Sequence, residues 1–165
     1  MQQDEALERA RAYFLSDGIY GCAETTLIVL QEAYDLPESL DSSPAMALNG
    51  GVAWRWGICG VLLGAGIALG RLAGQRISNH KDAKRIARRI LNRFITEFES
   101  EHAAVDCRQL VGREIYTEEQ HADFIESGIW RDNCMRQIEF AVRKLLPLQD
   151  ESTWRQTVAT VDTTD

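Results

Sequence analysis

The sequence predicts an all-α protein, an irregular helical bundle built round a glycine-rich central helix. Three observations carry this. Apolar residues recur at i, i+3, i+4 and i+7, most clearly along Ala83, Ile86, Ala87, Ile90, Leu91, Phe94, Ile95 and Phe98. No stretch alternates apolar and polar residues as a half-buried strand would. Capping and breaking residues punctuate the helical segments.

The elements follow in order. Glu5 to Leu15 is helical, with Ala6, Leu7, Ala10, Tyr13 and Phe14 on one face. Ser16-Asp17-Gly18 stops this helix, and residues 18–21 form a loop. A second helix runs from about Cys22 to Tyr34 and ends before Pro37. Ser42-Ser43-Pro44 opens a short helix to about Leu48. Residues 51–57, rich in glycine at both ends, read as a loop lying over a pocket. Ile58 to Leu72 is the central helix, carrying Gly60, Gly64, Gly66 and Gly70. Each such glycine costs about 1 kcal/mol relative to alanine, so close approach of another helix or of a cofactor is expected as the offset.

Ser78-Asn79 caps a long helix from His80 to Glu101. A short helix follows from Cys107 to about Leu110. Thr117 with Gln120 resembles a capping box and opens another. Asp132 is expected to cap the last helix, Asn133 to Leu146, which stops at Pro147. Residues 1–148 then form one domain, and the polar stretch 149–165 a frayed tail.

The chain has 165 residues, enough for one domain with a real core. Its net charge of −7 argues against a general nucleic-acid binder. The basic run from Lys81 to Arg93 reads as a solvated helix face. The uncharged run Trp56 to Gly70, at ~1.5 Å per residue, is too short for a bilayer core of about 30 Å. The polar, acidic start Met1-Gln2-Gln3-Asp4-Glu5 lacks a secretory pattern, and a cytoplasmic location is expected.

Cys22, Cys59, Cys107 and Cys134 are the chemically informative residues, each expected at a helix start. A helix N-terminus favours negative charge, so a thiol there becomes a better thiolate. There is no C-x-x-C, which argues against a thioredoxin motif and a zinc ribbon. Three readings stay open. The four thiolates ligate an iron–sulfur cluster. Some of them form a reversible dithiol–disulfide pair, with Arg108 beside Cys107 assisting. Or they are small buried hydrophobes. Trp54 and Trp56 flank Arg55 before Cys59, either as packing or as a wall over a cofactor with Arg55 facing an anion. Gly60, Gly64, Trp56 and Arg55 are therefore the candidate cofactor contacts. Glu24 is a first-turn acid or a proton carrier. His80, His102 and His121 show no metal-ligand spacing.

These cysteine contexts resemble the redox-active C_GCAxxG_C_C family. The matching pieces are Gly21-Cys22-Ala23, then Gly50-Gly51 followed by Cys59-Gly60-Val61-Leu62-Leu63-Gly64, then the stretch from Cys107 to Gly112, then Cys134. The match covers about Tyr13 to Leu146. Val61 stands where the family usually has alanine. The resemblance implies a helical fold and a redox role, and the leading expectation is that the four cysteines form one site. It leans towards electron transfer with an iron–sulfur centre and an unidentified redox partner. The alternatives are a thiol–disulfide oxidoreductase and a helical interaction module, in which the glycine-lined helix packs a homodimer.

Overall fold

The computed structural model describes residues 1–15, 19–113 and 115–163. The expected stop at Ser16-Asp17-Gly18 lies outside the described residues. The fold is all-α. The helices are α1 (Gln3–Leu15), α2 (Cys22–Ala33), α3 (Gly60–Arg76), α4 (His80–His102), α5 (Cys107–Val111), α6 (Glu118–Glu126), α7 (Ile129–Leu145) and α8 (Glu151–Asp162). The expected short helix after Ser42 is a 3-10 turn, Ser43–Leu48. Among the described residues the one β pairing outside the helices is an isolated antiparallel bridge between Ile58 and Asp106.

The centre is the pair α2 and α3. Every residue from Ala23 to Gln31 is buried, as expected of a helix with neighbours all round. Glycine sets how closely the two helices lie. A Cβ added at Gly64 would fall 2.2 Å from the Ala23 carbonyl oxygen, and one at Gly60 2.7 Å from the Cys22 sulfur. Val61 is fully buried in the same core. The expected offset for bare backbone thus holds at Gly60 and Gly64. It fails at Gly70, where nothing stands within 4 Å.

α4 lays its apolar stripe, including Ile86, Ile90, Phe94 and Phe98, on the core. Asn79 caps it, its side chain accepting from Asp82 N at 3.1 Å.

Two expectations need correction. Residues 151–162 are not a frayed tail. Asp150 caps α8 by accepting from Thr153 N at 2.9 Å, and Trp154 and Val161 are buried. The Arg76 guanidinium lies 5.2 Å from the Trp154 ring centroid, and Arg89 donates to Val161 O at 3.0 Å. Two apolar anchors in a polar stretch suffice when cations from α3 and α4 cap them. The last long helix also starts earlier than expected. Gly128, at φ +67, turns the chain into Ile129, so Asp132 sits in the first turn rather than at the cap.

Candidate functional site

Each cysteine is positioned by a different device. Cys22 opens α2, and the usual cap side chain is missing because Gly21 precedes it. Asn49, from the loop after the 3-10 turn, substitutes: its Oδ1 accepts from Ala23 N at 2.9 Å. Glu24 ties this corner together. It accepts from Gly21 N at 3.0 Å, Ser42 Oγ at 3.0 Å and Asn49 Nδ2 at 2.8 Å, which accounts for a buried acid as a structural hub.

Cys59 is the N-cap residue of α3, and Cys107 the first residue of α5. The β-bridge joins their approaches, with Cys59 N donating to Val105 O at 2.9 Å and Cys107 N to Gly57 O at 2.6 Å. The Cys59 thiol donates to Gln137 Oε1 at 3.6 Å. Cys134 lies inside α7 rather than at its start, because Gly128 begins that helix.

The four thiols are free and share one electrostatic environment. Cys59 is pushed well above its ordinary range, first by burial and then by charge on Cys22, Cys107 and Cys134. Cys134 is pushed well up by burial, then by Cys22 and Cys107. Burial, Cys22 and Asp106 push Cys107 up to about 12. Cys22 is raised by burial, but the N–H groups of Gly50, Ala23, Cys22 itself and Gly60 act against that rise. The expectation that helix starts make these better thiolates is corrected: burial outweighs the helix ends. Arg108 does not reverse this at Cys107; its Nε donates to Trp56 O at 3.4 Å. Among the described residues, no three His, Cys, Asp or Glu side chains stand close enough together to hold a metal ion.

Cys22, Cys107 and Cys134 open on one cavity of about 560 Å³; Cys59 does not. Its walls are largely aromatic, with Phe14 and Trp130 meeting edge-on at 5.3 Å and Trp56 and Phe124 at 5.6 Å. Trp54 and Trp56 both line it. Gly60, Gly64 and Arg55 do not: the glycines face α2, and Arg55 is exposed on the loop.

That loop is strained. Gly50, Gly51, Val52, Ala53 and Trp54 all have φ between +49 and +69, and Trp56 has φ +60. Each non-glycine residue there costs about 1–2 kcal/mol. The turn is held by Ala53 N to Ala47 O at 2.8 Å and Gly57 N to Gly51 O at 3.1 Å. Gly51 is required, since a Cβ there would meet Gly57 N at 2.5 Å. Strain of this kind persists only where the surroundings over-determine it, and such places cluster at functional sites.

Sequence reasoning missed Asn49, Gln137, Phe124 and Trp130, and set His121 aside for want of metal-ligand spacing. Asn49 had a local signal, as an Asx residue before Gly50-Gly51. The others sit on helices whose contacts with the cysteines are made only by the fold.

No helix among the described residues is long and apolar enough to cross a membrane. No curated protein and no solved structure matches the chain. A family model described as "Putative redox-active protein (C_GCAxxG_C_C)" matches residues 20–148. That span takes in all four cysteines, the strained loop and the helices that carry them, and the chain belongs to this family.

Proposed function

We propose that this is a small electron-transfer protein whose four cysteines act as one centre and hold an iron–sulfur cluster. The observation that carries the reading is the unbalanced chemistry of the thiols. Four of them lie within reach of each other's charge, and the charges acting on Cys107 and Cys134 are all negative. As free groups they keep their protons and are poor nucleophiles, the reverse of what a thiol–disulfide enzyme arranges. A bound cation supplies the missing positive charge and holds coordinating thiolates deprotonated. An all-thiolate donor set suits an iron–sulfur cluster, which would supply a one-electron carrier. Cys22, Cys59, Cys107 and Cys134 would hold it. Loading would have to draw the sulfurs together, since three donors do not already surround one point.

A second reading has its own support. The backbone N–H groups round Cys22 would stabilise its anion, so Cys22 is the thiol best placed to attack a disulfide.

Anaerobic reconstitution with iron and sulfide tests both. The cluster reading expects visible absorbance, with iron and acid-labile sulfide lost in each single Cys→Ser variant. Protein that stays colourless and metal-free overturns it. If thiol counts then fall reversibly on mild oxidation, and Cys22→Ser prevents this, the second reading stands.

A further inference from the structure

We propose that the cavity beside the cysteines binds a flat, neutral, conjugated carbonyl compound of the quinone class. The link to electron transfer rests on the function proposed above; the binding itself rests on the cavity. At about 560 Å³ it lies within the range of small-molecule sites, roughly 300–1,000 Å³. Its aromatic walls offer ring faces and edges, the surroundings that a flat ring fills best.

The polar groups narrow the choice. No Asp or Glu lines the cavity among the described residues, so a cationic ligand would find ring faces there but no carboxylate among them, and Arg131 would repel it. Arg131 lines it as a donor-only group, its guanidinium 4.9 Å from the Trp130 ring centroid, and makes no ion pair among the described residues. One arginine is too little for a phosphate-rich cofactor, which needs several donors. His121 also lines the cavity. Its Nε2 is buried without a hydrogen-bond partner, and its ring lies 4.2 Å from that of Trp54. Trp54, 47% exposed on its outer side, packs its ring over Gly50, where an added Cβ would lie 2.4 Å from it, and a ligand reaches that nitrogen by displacing this ring. Arg131, the Tyr20 hydroxyl and His121 in its Nε2–H tautomer are donors, and together with aromatic walls they suit a planar ligand whose polar atoms are acceptor oxygens.

The probe is 2,3-dimethyl-1,4-naphthoquinone, which has no free quinone-ring position for thiol addition. It is titrated into the reduced full-length protein by calorimetry. Saturable one-to-one binding is expected. Ile125→Trp, at an exposed position on the cavity wall, should weaken it by about tenfold or more, with an unchanged circular-dichroism melt. His121→Leu should weaken it by about 3–10-fold, as loss of one hydrogen bond does. The carbonyl-free 2,3-dimethylnaphthalene should bind more weakly than the quinone. No saturable binding, equal binding of the two ring compounds, or full binding by Ile125→Trp overturns the proposal. Metal-free, redox-silent protein that still binds the quinone retires the electron-transfer reading and leaves the site. Reconstituted, redox-active protein that binds no quinone does the opposite.

Discussion

The two ends of α3 use glycine in opposite ways. At the start, Gly60 and Gly64 let Cys22 and Ala23 come so close that any Cβ would overlap them. At the far end, Gly70 and Gly74 are exposed with nothing within 4 Å. That end is anchored by side chains instead: Arg76 donates to Leu148 O and Gln149 O at 2.9 Å each and covers Trp154. The same residue type is a packing requirement at the cysteine end and a local weakness at the other. Glycine content alone therefore does not locate a site; what stands opposite the bare backbone does.

Gly64→Val should break this arrangement most severely. The added carbons meet the α2 backbone, which cannot rotate away as a side chain can. The variant is expected to show no cooperative thermal transition, and a normal melt would remove the close-packing account of α3. At the other end, Trp154→Ala should cost about 3–5 kcal/mol, the usual range for a buried aromatic. Urea unfolding measures it. A loss below ~1 kcal/mol would mean that α8 is not the anchor described.

The cysteine end should also be the alkaline-sensitive one. Cys107 holds its proton to about 12 in the fold, whereas an unperturbed thiol loses it near 9. Between these values the unfolded chain binds fewer protons than the native one, so stability is full below about pH 9 and falls as pH rises towards 12. For this thiol alone the loss at about pH 10 is on the order of 1.4 kcal/mol. Urea midpoints of reduced, metal-free protein at neutral and alkaline pH should show it, and Cys107→Ser should shrink it. A flat profile would indicate thiols already deprotonated in the fold.

How much of this was legible in the sequence follows from the range of each interaction. The capping box at Thr117 is local and forms as read, with Gln120 N donating to Thr117 Oγ1 at 3.2 Å. The stripe of α4 is local too. The cap of α2 was not legible, because Asn49 supplies it from 26 residues away. Nor was the start of α7, where a left-handed Gly128 outcompetes the better cap residue Asp132. The four cysteine contexts could be recognised, but the Ile58–Asp106 bridge that aligns two of them is a tertiary contact without a sequence pattern. Burial decided the thiols' acidity, and burial is a property of the whole fold.

The smallest expected effect is a gain. Gly70→Ala and Gly74→Ala each place a methyl group in open space on an exposed helix and reduce the freedom of the unfolded chain. Each should raise stability by up to ~1 kcal/mol, the helix-propensity difference, with Gly74 nearer the fraying end and gaining less. The two positions are i, i+4 neighbours on one helix face, so the double variant should gain at least as much as the better single one rather than a strict sum. Thermal melts at several protein concentrations read the result. A loss of stability that grows with concentration would mean that a second chain packs against this bare backbone, and that both ends of α3 use glycine for close approach after all.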